Sequence, residues 1–294
     1  MISYNPKSWI SLIFRSYSHN VMAKLRPVLI FLLIYTTICC YVILGLLKLH
    51  EQNFESTIAV HSLLGIVLGL FLVFRTNSAY DRWWEGRKQW GSLVNNCRSL
   101  ALKMNAFLPT SDDENRLFFE HMISNFAVAL KDHLRNQINV NHFQGFSPVM
   151  ISEFKLKSHI PNHILKLSYL RLNELYKSKI ISGDQLFLAD KELKAFSDIL
   201  GGCERIKNTP IPHSYSMYIK KFIFLFIITL PFGFVTTTGY LTIPIVLIIS
   251  TVMFTVELIA EEIEDPFGND TNDLPTDSLA KKIKENVNEI FWHN

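Results

Sequence analysis

Four apolar runs without Asp, Glu, Lys or Arg limit this chain to a small set of folds. The runs cover residues 28–47, 58–74, 222–238 and 241–256. A helix needs about 17–25 apolar residues to cross the hydrocarbon core of a bilayer. The runs therefore predict four transmembrane helices, the last two joined by a tight turn at Gly239 and Tyr240.

Basic residues flank these runs on one side of the predicted membrane. Four precede the first run, four follow the second and four precede the third: Lys7, Arg15, Lys24, Arg26; Arg75, Arg82, Arg87, Lys88; Arg205, Lys207, Lys220, Lys221. Loops rich in Lys and Arg stay on the cytoplasmic side. The pattern predicts a multi-pass protein of the cell membrane with both termini and the long middle segment in the cytoplasm.

The remaining residues predict an all-α protein with a large helical cytosolic domain. The predicted organisation is a cytosolic N-terminal segment (1–27), transmembrane helices 1 and 2 (28–75), a cytosolic helical domain (76–220), transmembrane helices 3 and 4 (221–256), and an acidic turn with a C-terminal helix (257–294). In the middle segment, a capping box at 111–114 predicts a helix start, and residues 137–149 are interpreted as a loop.

The second run carries a pattern suited to a pore. Ile66, Leu70 and Phe74 recur at i, i+4 and i+8, so they form one bulky apolar stripe on a helix. Gly65 and Gly69 form a small-xxx-small pair beside it, which lets helices approach closely in lipid. Several copies around an axis could present the stripe inward as a hydrophobic constriction. The alternative is a stripe that faces lipid or packs within the protein.

Enzymatic chemistry has little support in the sequence. There is no G-x-S-x-G, no Walker lysine loop and no G-x-G-x-x-G. The four cysteines contain no CxxC pair, which predicts reduced structural cysteines rather than a zinc site or disulfides. The net charge is only +3, and the sequence shows no broad basic face of the kind that nucleic-acid binding needs. The chain is therefore predicted not to be an enzyme, and its predicted partners are the lipid bilayer and small inorganic ions.

Three separated motifs resemble the bestrophin family in its bacterial branch. They are FRTNSAYDRWWEGR at 74–87, GCERI at 202–206 with TPIP at 209–212, and EDPFGNDTNDLP at 264–275. The resemblance implies a homopentamer around one central pore, a neck lined by Ile66, Leu70 and Phe74, and a helical cytosolic chamber. It also implies a second constriction near the cytosolic exit, which the spacing to the second motif assigns to Gln185.

The acidic turn at 257–273 has a counterpart in animal bestrophins, where it binds calcium. By this resemblance Asp270 and Asp273 match the acidic side-chain ligands, and Asp265 matches a backbone-carbonyl ligand. Bacterial members need not use calcium. The prediction is therefore no cofactor, with calcium at the acidic turn as the alternative. The alternative is that the turn caps helices and pairs with Arg82 or neighbouring arginines.

The sequence does not decide whether the channel conducts anions or cations. The family-level activity is passive conduction of chloride and other anions, and the alternative is a channel selective for monovalent cations such as sodium. Arg75 below the neck and Glu51 and Glu55 near the outer mouth carry both signs. A secondary transporter and a non-conducting membrane scaffold are the alternatives from other classes.

Overall fold

The computed structural model describes residues 19–48, 55–137, 139, 143–146, 148–155 and 157–292. All regular structure in these residues is helical, which confirms the all-α prediction for the described part of the chain. The helices are α1 (His19–Cys40), α2 (Glu55–Phe107), α3 (Asp113–Leu134), α4 (Pro148–Lys155), α5 (Ile160–Lys177), α6 (Gly183–Asn208), α7 (His213–Thr238), α8 (Thr242–Glu264) and α9 (Thr276–Trp292). A π-helical turn, Tyr41–Leu46, extends α1, and a 3-10 turn, Gly239–Leu241, separates α7 from α8.

The chain forms two compact units. The first comprises residues 1–83 and 210–273, and the second comprises residues 84–209 and 274–294. The fold does not define a bilayer. The division into membrane and cytosolic domains therefore stays a prediction. Lys7, Arg15 and Glu51 lie outside the described residues, as does most of the predicted segment 1–27.

Helices of the first unit have the length and composition of membrane spans. Among the described residues, the candidate segments are Val21–Leu46, Ile58–Phe107 and His213–Glu264. The third segment contains both α7 and α8, and Gly239 interrupts it with a φ of 57°. Glycine adopts a positive φ at little cost, so it suits a tight turn between two helices. The predicted turn at Gly239 and Tyr240 therefore coincides with the break between α7 and α8.

The apolar core of the first unit draws on all four of its helices. It contains Leu32 of α1, Leu68 and Leu72 of α2, residues along α7, and Val246 of α8. The α7 residues of this core are Ile219, Ile223, Phe226, Ile227 and Leu230. This core fixes which face of α2 points inward within one chain and which face is left for other contacts.

The second unit packs α3 against α9 and α5, and α5 against α6. Asp112 caps α3 by accepting a hydrogen bond from the Asn115 amide at 3.2 Å, so the helix starts within the predicted capping box at 111–114. Helix α4 begins at Pro148, inside the predicted loop. Proline suits the first turn of a helix, where its missing N–H costs no hydrogen bond. The four cysteines are free, as the sequence predicts.

Candidate functional site

The predicted pore stripe lies on the exposed face of α2. Ile66, Leu70 and Phe74 are 73%, 57% and 54% exposed within one chain. The buried face consists of Leu68, Leu72, Arg75 and Ala79. At about 100° per residue, the centre of the exposed stripe stands about 170° from the centre of the buried one. The three predicted neck residues therefore point directly away from the core of their own chain.

The two glycines of α2 lie between these faces. A Cβ on Gly65 would stand 3.4 Å from the ring of Phe226 in the same chain. Among the described residues, nothing lies within 4 Å of the position that a Cβ on Gly69 would take. Gly65 thus packs against Phe226 within the chain, whereas the space beside Gly69 is open in the described part of the chain.

Arg75 directly follows the stripe but does not face solvent. Its side chain is 1% exposed. It donates a hydrogen bond from Nη2 to Glu264 at 2.7 Å and one from Nε to Glu257 at 3.4 Å. A guanidinium held between two carboxylates offers no free positive charge to a passing ion. The sequence-based interpretation of Arg75 as a charge just below the neck is therefore not supported by its position.

Glu264 forms hydrogen bonds with residues of the other two sequence motifs that lie in the first unit. Besides the pair with Arg75, its Oε1 accepts a hydrogen bond from the Ile211 amide at 2.9 Å. Its backbone carbonyl accepts one from Arg82 at 3.0 Å. The indole of Trp83 donates to the Asn272 carbonyl at 3.0 Å. Hydrogen bonds to Glu264 therefore join residues of all three motifs.

The acidic turn shows features of both sequence-based interpretations. Arg82 and Arg75 pair with it, as the structural alternative predicts. Asp273 is buried, and its Oδ2 accepts a hydrogen bond from the Asp270 amide at 2.6 Å. Burial raises the pKa of Asp273 to about 6. In the described residues, Asp273 Oδ1 has no hydrogen-bond partner, and Asp265 is exposed.

Gln185, the residue predicted at the second constriction, forms a local cap. Its Oε1 accepts a hydrogen bond from the Ser182 amide at 2.8 Å, and its own amide donates to Ser182 Oγ at 3.2 Å. This capping box starts α6 and occupies the Gln185 side chain. Two residues on, Phe187 is 73% exposed. Gln185 at the second constriction therefore stays a prediction.

Comparisons with known proteins match nearly the whole chain. The model of a family described as Bacterial/Fungal Bestrophin protein matches residues 1–289. A voltage-dependent anion channel-forming protein of Nostoc sp. is 39% identical over 76% of this chain and 75% of its own length. Another of that name, from Synechocystis sp., is 32% identical over 99% of this chain and 95% of its own length.

Solved structures give the same result at the level of the fold. A crystal structure of a bacterial bestrophin homologue from Klebsiella pneumoniae aligns with a TM-score of 0.82 at 29% identity. The alignment covers 90% of this chain and 98% of the Klebsiella chain. A second crystal structure, described as a membrane protein, aligns with a TM-score of 0.83 at 28% identity and covers 94% of this chain and all of its own.

Proposed function

The chain belongs to the bacterial and fungal bestrophin family, and on this premise we propose that it is a membrane channel that conducts anions passively. The family and the channel-forming relatives favour a channel over an enzyme. The observation that carries the proposal is the exposed apolar stripe of Ile66, Leu70 and Phe74, which faces away from its own core. One chain cannot enclose a pore with a single helix face, so the stripe needs other copies.

The assembly that we propose is a homopentamer with four crossings per chain. Helices α1, α2, α7 and α8 would cross the cell membrane, with both termini and the second unit in the cytoplasm. The lysines and arginines beside the spans support this orientation. The open space beside Gly69 would let neighbouring α2 helices pack closely.

The neck would select ions by the cost of removing their water. A ring of Ile, Leu and Phe side chains offers neither charge nor hydrogen bonds, and Arg75 is neutralised by Glu257 and Glu264. Hydrophobic constrictions favour ions that lose hydration water easily. We therefore expect chloride and larger, weakly hydrated anions to pass. The alternative of a sodium-selective channel rests on the family's bacterial branch.

A reversal potential in a salt gradient tests the proposed anion selectivity. In a planar bilayer with a tenfold NaCl gradient, the chloride and sodium equilibrium potentials are both about 59 mV in magnitude but opposite in sign. We expect the reversal potential to have the sign of the chloride value. Movement towards the sodium value would contradict anion selectivity and support the cation alternative. A saturating flux coupled to a second ion would identify a transporter, and silence under all conditions would identify a scaffold.

Phe187 is the residue that we propose for the second constriction in place of Gln185. The family resemblance implies an apolar side chain there, and Phe187 is exposed while Gln185 is engaged in a helix cap. We expect Phe187→Ala to change the permeability of a large anion relative to chloride. Gln185→Ala should leave that ratio unchanged, because it removes only the hydrogen bond to the Ser182 amide. The reverse pattern in bilayer recordings would return the constriction to Gln185.

Calcium binding at the acidic turn is a separate proposal. Asp273 would supply a carboxylate oxygen, because its Oδ1 is buried without a partner in the described residues. Asp270 and the carbonyl of Asp265 would add two further oxygens. Calcium takes six to eight oxygen ligands, so further carbonyls or water would have to supply the rest. Bound calcium would compensate the unfavourable burial that raises the pKa of Asp273.

A further inference from the structure

Two histidines and one glutamate converge in the second unit, away from the acidic turn. His133 Nε2 lies 2.7 Å from Glu204 Oε1, and His159 Nε2 lies 2.8 Å from the same oxygen. The two imidazole rings have their centroids 4.5 Å apart. The ligand atoms of His133, His159 and Glu204 all lie within 4.8 Å of one another. Among the described residues, no other group of three or more His, Cys, Asp or Glu side chains meets this criterion.

Three separate elements supply these side chains. His133 lies in the last turn of α3, His159 is the N-cap residue of α5, and Glu204 lies near the end of α6. Each side chain is between 28% and 30% exposed. The cluster is therefore held in place by packed helices and is still open to solutes from water.

The donor set suits a transition metal. Two imidazole nitrogens and one carboxylate oxygen form a common three-ligand zinc set, and the same ligands bind cobalt, nickel and copper. Calcium and magnesium prefer oxygen ligands. Donors around a tetrahedral zinc stand about 3.3 Å apart when the metal–ligand distance is about 2.0 Å. The observed nitrogen–oxygen distances need to open by about 0.5 Å to admit the ion.

Glu204 is charged in this setting. Partial burial raises the pKa of Glu204, but hydrogen bonds from His159 and His133 outweigh that effect, so the pKa lies below its ordinary value. An ionised carboxylate is the form that binds a metal. A cavity of about 280 Å³ borders His133, but neither His159 nor Glu204 lines it.

Metal binding would change the hydrogen bonding of His159. Its Nδ1 accepts a hydrogen bond from the Asn162 amide at 3.3 Å, so the proton of the neutral ring sits on Nε2 and points to Glu204. A metal on Nε2 requires that proton to move to Nδ1, and the long bond to Asn162 is lost. The loss is small because that amide belongs to the first turn of α5, where water can replace the acceptor.

From this geometry we propose that His133, His159 and Glu204 form a binding site for one divalent transition-metal ion per chain, of the zinc class. The ion would join the ends of α3 and α6 to the start of α5. The proposal does not depend on channel activity, since it concerns side chains that the proposed neck and acidic turn do not use.

Cobalt absorption tests the proposal directly. The full chain is purified in detergent without a polyhistidine tag, stripped with a chelator and titrated with Co²⁺, then with Zn²⁺. We expect visible d–d bands that saturate at one Co²⁺ per chain and disappear when Zn²⁺ displaces it. Zn²⁺ should also raise the unfolding temperature of the wild-type chain, because a ligand that binds the folded state stabilises it.

Variants separate metal binding from mere stability. Glu204→Gln and His133→Gln should each weaken Co²⁺ binding by more than about tenfold. His159→Asn keeps a good N-cap residue while it removes the imidazole. His213→Gln is the matched control, because His213 is an exposed histidine outside the cluster, and its titration should match wild type. Elution volume and helical circular dichroism report whether each variant is folded.

Two results would overturn the site. One is a wild-type titration without saturable d–d bands, which would leave a hydrogen-bonded triad with no metal. The other is equal Co²⁺ affinity in wild type and in a folded Glu204→Gln variant. Excess Ca²⁺ should not displace Co²⁺, and any heat of calcium binding should persist in Glu204→Gln, because the proposed calcium ligands lie elsewhere.

Discussion

Phe74→Ala and Leu70→Ala are each expected to raise the single-channel conductance severalfold. Each substitution removes most of a side chain from every copy in the proposed ring, so the neck widens and holds water more easily. A fall of only about 1 kcal/mol in the barrier to ion passage would raise the flux about fivefold. Single-channel recording of purified protein in planar bilayers measures the effect.

Ile248→Ala is the control for the neck substitutions. Ile248 is an exposed apolar residue like those of the neck stripe, but it lies on α8 rather than on α2. We expect Ile248→Ala to have the conductance of wild type, because this side chain lies outside the proposed neck. Equal currents in wild type, Phe74→Ala and Leu70→Ala would show that the stripe faces lipid.

Arg75→Met is expected to destabilise the protein by about 3–5 kcal/mol. The substitution removes a buried guanidinium and leaves Glu257 and Glu264 without their cationic partner. A buried charge without a partner pays a large desolvation cost, whereas an apolar group in place of the whole pair costs far less. Thermal unfolding in detergent, followed by tryptophan fluorescence, measures the loss.

Two further variants define the cause. Arg75→Met combined with Glu257→Gln should recover part of the stability, because it removes one of the unpaired charges. Arg205→Met is the control, since Arg205 pairs with Glu85 at the surface, and its loss should cost no more than about 1 kcal/mol. A stable Arg75→Met variant with altered ion selectivity would contradict the structural role and restore Arg75 as a pore charge.

Helices with strong periodicity were predictable from the sequence. Long apolar runs located the apolar parts of α1, α2, α7 and α8, and the stripe on α2 followed from the helical repeat alone. The helices extend beyond these runs: α1 and α7 each start nine residues earlier, and α2 ends 33 residues later. Helix α4 was missed, because Gly145 and Pro148 were interpreted as loop residues. Proline is compatible with both a loop and a first helical turn, and only the packing around it distinguishes them.

Contacts between distant segments set the limit of the sequence-based analysis. Glu204 lies 71 residues from His133 and 45 from His159, so no spacing rule connects them. The burial of Arg75 was equally hidden, because its partners follow 182 and 189 residues later. The family resemblance identified the motifs that contain Arg75 and Glu264, but only the fold shows that these two side chains form an ion pair.

An electron cryo-microscopy map of the purified oligomer in lipid nanodiscs tests the central claim most directly. The account predicts five copies around a central axis, with Ile66, Leu70 and Phe74 of every copy turned towards that axis. A map in which these three side chains contact lipid, or in which no hole runs along the symmetry axis, would contradict it.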